Sequence, residues 1–366
     1  MHESSLTTPP LSRVATLWRL MLIGVVVVAI AASFAYVAGW FTPQRLTPRR
    51  MIEALQQNAG LHPGFRRNHA KGACVSGYFE GSGAASRYST ASVFVAGERT
   101  PVAGRFAIPG GNPYAPDSSV PIRSMALRFA LADGQQWRTG MNAMPVFTVA
   151  TPAAFYALTL AGRPDPATGK PDHAKTMAFF AAHPETAPFR AWAKTAKPSA
   201  SYVTENYGSL DAFEFVDAQG KHHAVRWRMT PEATDNAGSG PAAGDPDYLA
   251  SDLQRRLAQG PQRWHLLVTL AAAGDPTNDA TKAWPTDRKV IDAGTLVIAS
   301  MQSQQSGECR DINYDPTVLP AGIQISDDPL LPARSAAYAD SYLRRTTEEA
   351  HFPGAATAAS SSWETK

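Results

Sequence analysis

Three stretches of the chain carry side chains whose types and spacing could do chemistry. In PLLPARSAAYADSYLRRT, Arg334 and Tyr338 stand four apart and Arg345 seven beyond, so a helix beginning near Pro329 puts all three on one face. A guanidinium one turn from a phenol favours the phenolate, and a phenolate is an uncommon axial ligand of haem iron. The competing reading is an amphipathic helix with solvent-facing arginines and a packed tyrosine. In Arg66-Arg67-Asn68-His69-Ala70-Lys71-Gly72 a histidine lies among cations. These disfavour imidazolium and leave a neutral ring suited to general-base work, unless the segment is only a basic surface turn. In Thr139-Gly140-Met141-Asn142-Ala143-Met144-Pro145-Val146-Phe147 one amide, Asn142, is set among apolar neighbours. It is either structural or offered to a ligand.

The elements that must position these residues are legible as periodicity. Alternation at Met125, Leu127, Phe129 and Leu131, and again at Val225, Trp227 and Met229, predicts strands. Apolar runs at 101–108, 143–149, 212–217, 264–270 and 295–299 predict more. Helical spacing marks 152–162, 172–182, 186–195, 246–259 and 329–346, while Thr47-Pro48 and Gly60 bound a short helix over 48–59. The strands are not each followed by a crossover helix, so an α+β fold built on an antiparallel sheet or closed barrel with helical insertions is expected. Residues 20–44 are uncharged, and Leu20–Trp40 is long enough for a transmembrane anchor, with a cleaved signal peptide as the rival. Arginines at 13 and 19 before it and at 45, 49 and 50 after it do not decide its orientation.

Composition removes other classes. With net charge +3 and no Lys/Arg run longer than two, the footprint of a nucleic-acid binder is missing. Two cysteines, Cys74 and Cys309, are too few for a Cys-rich metal site; whether they pair is left open. His222-His223 belong to an expected hairpin turn, and His62, His183 and His351 to loops or the tail. No dinucleotide fingerprint is present, so bound NADPH is not expected.

Read together, the motifs R-x-x-H-A-K-G, G-Y-F-E, R-F, M-N-x-M-P-V-F, E-N-Y-G-S, D-P-D-Y, W-P, D-P-x-x-x-P-x-G-I and R-x-x-x-Y resemble, in order and spacing, those of the haem catalases. The start G-x-H-P-G-F-R-R-N-H-A-K-G and the loop G-G-N-P-x-A-P-D resemble the small catalase-related haem peroxidases more closely. The resemblance implies a catalase-type β-barrel holding haem b. His69 would be the distal histidine that moves a proton between the peroxide oxygens, and Asn142 the distal amide. Tyr338 would be the iron's axial ligand, Arg334 its guanidinium partner, and Phe155 the aromatic near the distal face. Arg66, Arg105 and Arg345 would pair with the propionates. It also implies a peroxide and a small-molecule electron donor as partners, with peroxide dismutation as the alternative activity and a haemless, membrane-anchored ligand-binding barrel as the non-enzyme alternative. Oligomeric state stays open. The family's serine after R-F is Ala107 here, which takes a hydroxyl from the support of His69, and Asn68 in place of a small apolar residue is expected to make the pocket more polar. The expected organisation is an N-terminal segment 1–19, an anchor 20–40, a linker helix region 41–60, a haem domain 61–346 lying outside the cytoplasm, and a disordered tail 347–366.

Overall fold

The structure is a computed structural model that describes residues 12–38, 40, 45–234 and 244–351. The chain divides into two units, Met1–Thr47 and Pro48–Lys366. The first holds helix α1, Arg13–Val37, capped by Ser12, whose hydroxyl accepts from the Ala15 N–H at 3.2 Å. That cap starts the helix ahead of Leu20. Beyond Arg19 it is apolar on every face apart from the Ser33 and Tyr36 hydroxyls, and nearly all of it is exposed. At 1.5 Å per residue its 25 residues span about 37 Å, enough to cross a bilayer core.

The second unit begins with α2 (Pro48–Ala59), followed by β1 (Gly72–Gly81), β2 (Arg99–Ala107), β3 (Ser124–Ala130) and β4 (Gln136–Asn142). Helices α3 (Pro152–Ala161), α4 (His173–Ala182) and α5 (Ala187–Ala193) come next, then β5 (Tyr207–Gly208), β6 (Phe213–Val216) and β7 (His222–Pro231). Helix α6 (Tyr248–Gln259), β8 (Gln262–Leu270), β9 (Val290–Ser303), β10 (Ile323–Ile325) and α7 (Leu330–His351) complete it. The antiparallel order β7-β5-β4-β3-β2-β1-β9-β8 closes on itself because β8 also pairs with β7. The result is an eight-stranded barrel of the expected class, with β6 and β10 continuing from the free half of β7.

Inward-facing aromatics fill the barrel. Phe129 stacks on Trp137 at 4.6 Å, Trp137 meets Trp227 edge-on at 5.1 Å, and Phe213 stacks on Trp227 at 4.3 Å. The buried Trp227 indole finds its acceptor in Thr139 Oγ1 at 3.1 Å. Where β1 shifts register against β9, a Cβ at Gly77 would lie 1.9 Å from the Val297 carbonyl oxygen, so only glycine lets the strands close.

Several expectations need correction. Residues 143–149 are not a strand: the chain leaves the barrel after Asn142, and this stretch is apolar because Met144 and Phe147 line a cavity. Strands β1 and β4 were not anticipated. Glycines 72, 77 and 81 and three successive buried residues blur the alternation in β1, and polar Arg138 and Thr139 blur it in β4. Helix α2 is part of the globular unit rather than a linker, burying Met51, Ile52 and Ala54. Helix α7 runs past 346 to His351 because Glu348 pairs with buried Arg67, and Glu349 with Arg310 at 3.0 Å. Residues 352–366 lie outside the described residues. His222 and His223 open β7 instead of forming its turn, each facing a carboxylate, Glu214 and Asp217.

Cys74 and Cys309 form a disulfide, with Cα atoms 5.3 Å apart, that ties β1 to the turn Glu308–Asp311. Replacing both cysteines with alanine should lower stability by about 2–5 kcal/mol, read as a drop in the guanidinium unfolding midpoint. A midpoint that the double substitution leaves in place would contradict this role for the cross-link.

Candidate active site

A cavity of about 340 Å³ opens between the outer face of β2–β4, the helices α2, α3 and α7, and the segments around residues 66–69 and 312–314. Its lining includes Arg66, His69, Arg105, Asn142, Phe155, Arg334, Tyr338 and Arg345, all eight residues singled out from the sequence. The size is within the range of small-molecule and cofactor pockets.

His69 holds a left-handed backbone conformation, φ 55°, unusual for a residue with a side chain and retained only when the surroundings over-determine it. Four hydrogen bonds do so here. The His69 N–H donates to Asn68 Oδ1 at 2.9 Å, and the Gly110 N–H donates to the same oxygen at 2.8 Å. Ala70 N–H donates to Gly110 O at 2.8 Å, and Arg105 Nη1 to His69 O at 2.9 Å. The Asn68 carbonyl is thus committed to the backbone, a scaffolding use beside its place in the cavity lining. Lys71 supports the same segment by pairing with Asp117 at 2.9 Å and Asp247 at 2.7 Å, which draws the G-G-N-P-x-A-P-D loop and the D-P-D-Y turn together. Burial first, and then the Arg105, Arg334 and Arg66 guanidiniums, push the His69 imidazole down to about 3 against an opposing hydrogen bond with Asn142, so it is neutral at ordinary pH.

Asn142 ends β4, facing Ser124 on β3 and Gly208 on β5. Phe155 is on α3, which starts where Thr151 Oγ1 accepts from Ala154 N–H at 3.2 Å, and its ring stacks on Phe147 at 5.9 Å.

On α7, Arg334 Nη2 lies 3.4 Å from the Tyr338 hydroxyl oxygen and 3.4 Å from the Gly140 carbonyl oxygen, while Nη1 is ion-paired with buried Asp211. A Cβ at position 140 would stand 3.2 Å from Arg334 Nη2, so the glycine leaves room for the guanidinium. Burial opposes the charge on Arg334. Tyr338 and Asp211 nevertheless hold it above the ordinary arginine value. Asp211 follows Leu210, the other non-glycine residue with positive φ (62°) among the described residues, so a strained turn delivers a group to each side of the cavity. Asp328, with burial as the main cause and Asp211 next, is raised to about 7.

The third wall is a cluster of cations. Arg66 donates to the carbonyls of Cys309 (2.8 Å), Arg310 (3.3 Å) and Ile312 (3.0 Å), and Arg345 to that of Arg310. Arg105 donates to Gln304 Oε1 at 2.9 Å. Among the described residues none of the three forms an ion pair, and the buried Nε atoms of Arg105 and Arg345 have no partner. All three are pushed below the ordinary arginine value, by burial first; repulsion among them adds to this at Arg66 and Arg105, while at Arg345 Glu349 and Asp311 oppose the shift. Buried, mutually repelling cations held only by neutral oxygens suit a ligand that carries carboxylates. An arginine-backed phenol on one side and a neutral imidazole with an amide on the other complete a donor set that fits a haem. Asp211, Ser124, Gln304 and the carbonyls of 309–312 were not found from the sequence. Only Asp211, just after E-N-Y-G-S, stood near a recognisable motif.

The catalase family model matches residues 38–353. A catalase-related peroxidase of Synechococcus elongatus is 35% identical over 326 residues, covering 88% of this chain and 96% of that protein. A catalase-related peroxidase of Mycolicibacterium paratuberculosis is 31% identical over 304 residues, covering 82% and 95%. Among solved structures, catalase A from Saccharomyces cerevisiae superposes with a TM-score of 0.69 at 21% identity, covering 78% of this chain and 62% of its own. The chain therefore spans about three fifths of the length of that larger enzyme. On the family match and the length shared with the two peroxidases, this chain belongs to the catalase family.

Proposed function

We propose that this chain is a haem b peroxidase that reduces hydrogen peroxide or small organic hydroperoxides and oxidises an organic donor. The observation that carries the reading is the single cavity in which neutral His69 and Asn142 share a lining with arginine-backed Tyr338 and three guanidiniums that form no ion pair among the described residues. Tyr338 would bind the iron, with Arg334 stabilising the phenolate. Arg66, Arg105 and Arg345 would hold the propionates, and Phe155 would pack against the distal side. When bound, haem supplies the iron at which the O–O bond is cleaved and the oxidising equivalents are stored. His69, unprotonated, would take the proton from one peroxide oxygen and hand it to the other, which leaves as water or alcohol. Asn142 donates a hydrogen bond that keeps the peroxide beside the imidazole. Two electrons and two protons from the donor close the balance, one peroxide giving two molecules of water, or one of water and one of alcohol.

Dismutation is the second reading, favoured by the full-length catalases among the relatives. Ala107 argues against it as the main activity, since a second peroxide must meet a firmly held imidazole and no hydroxyl stands at 107 to hold it. We further propose that α1 anchors the protein in a membrane with the catalytic unit outside the cytoplasm. The apolar helix and the Cys74–Cys309 bridge support this, because disulfides persist in oxidising compartments.

Tyr338→Phe should purify without the visible absorption of bound haem, and Arg334→Ala should retain haem about 10–100-fold more weakly, the usual effect of removing a ligand's supporting partner. A tyrosine-free variant with the wild-type visible spectrum would exclude Tyr338 as the ligand. His69→Ala should bind haem yet consume peroxide about 10²–10⁴-fold more slowly. In wild type the rate should stay level as pH falls from 7 to about 4, because protonation of His69 is deferred to about 3, and then drop. A loss centred near pH 6.5 would show that the imidazole is not held neutral.

A further inference from the structure

Ala107 on β2, Ser124 on β3 and Asn142 on β4 are direct cross-strand partners in one row, and all three line the cavity. The hydroxyl that position 107 lacks is therefore present one strand further along. It is turned the other way: the nearly fully buried Ser124 Oγ donates to Asn142 Oδ1 at 2.6 Å. An asparagine amide offers one acceptor and two donors, and its terminal torsion has two broad wells that interchange them. A donor fixed on the oxygen selects one well, leaving the amide N–H groups for the cavity.

We propose that Ser124 is a positioning residue that locks the Asn142 amide so that its N–H, rather than its carbonyl, meets a ligand bound opposite Tyr338. This rests on the peroxidase reading and sharpens it. The row's one hydroxyl serves the amide, while His69 is held through its backbone by Asn68 and Arg105. Asn142 then acts as a donor to the ligand's oxygen or nitrogen whatever the protonation of the solution. Ala107 loses the family's hydroxyl without leaving this part of the pocket unanchored.

The test is cyanide titration of the haem-loaded full chain, with haem content and peroxide kinetics measured alongside. Ser124→Ala should bind haem as wild type does, bind cyanide about 3- to 10-fold more weakly, and lose a similar factor in kcat/KM for hydrogen peroxide, the range expected for one neutral hydrogen bond. Ser124→Thr, which keeps the hydroxyl, should restore both. In an Asn142→Ala background, Ser124→Ala should add nothing. Unchanged cyanide affinity in Ser124→Ala, a threonine as impaired as the alanine, or an undiminished effect in the Asn142→Ala background would each overturn the role of Ser124 while leaving the peroxidase reading in place. A wild-type chain that takes up no haem or no cyanide would overturn both.

Discussion

Asp211, Arg334 and Tyr338 are linked in a row, carboxylate to guanidinium to phenol, and the row ties α7 to the barrel. Arg334 reaches from the helix to the turn after β5 and to the Gly140 carbonyl on β4, so one guanidinium joins the tyrosine's helix to two barrel strands' ends. A buried pair of this kind is weak evidence for stability by itself, but breaking it strands the surviving charge at a cost of about 3–5 kcal/mol. Burial, and then repulsion from nearby Asp211, favours the proton-bearing form of Asp328 towards neutral pH. Asp211 thus remains the carboxylate paired with Arg334, whose guanidinium also faces the Tyr338 hydroxyl.

The other end of the cavity obeys the opposite rule. Arg66, Arg105 and Arg345 are gathered without an ion pair among the described residues, held by backbone carbonyls and one glutamine amide while the Nε atoms of Arg105 and Arg345 stay unpartnered. Such a cluster is costly until an anion arrives, so it favours a ligand that carries negative charge at that edge. A polar, cation-rich edge and an apolar interior contributed by Met125, Met141, Leu330 and Phe155 together fix which way a flat amphipathic ligand must enter.

Much of this was legible in the sequence because helical spacing is local. Arg334, Tyr338 and Arg345 could be put on one face from their numbers alone. His69 and Asn142 stood out through a basic run and a lone amide. What could not be read was cross-strand. Ser124 opposite Asn142 is a consequence of register, and register is set by the whole barrel. Asp211 is joined to Arg334 across more than a hundred residues, and the carbonyls that hold Arg66 have no side-chain signature at all. The stretch 143–149 misled for a related reason: Met144 and Phe147 face a cavity while Val146 and Val149 are buried, and periodicity does not separate such a loop from a strand.

The disulfide changes the chain's connectivity in a way that bears on how the two faces of the cavity find each other. Cys74 is five residues after His69 and Cys309 is 29 before Tyr338, while the bridge encloses a separation of 235 residues. Most of the barrel lies inside that covalent ring, and the histidine and tyrosine lie on the two short arms that leave it. Once the bridge has formed, the path between these two residues shrinks from nearly the whole domain to about 35 residues, which lowers the entropy of bringing them together by about 2 kcal/mol. Two segments at opposite ends of the sequence become near neighbours even in a chain whose barrel has melted, so the site is tethered for reassembly independently of the strands that separate its halves.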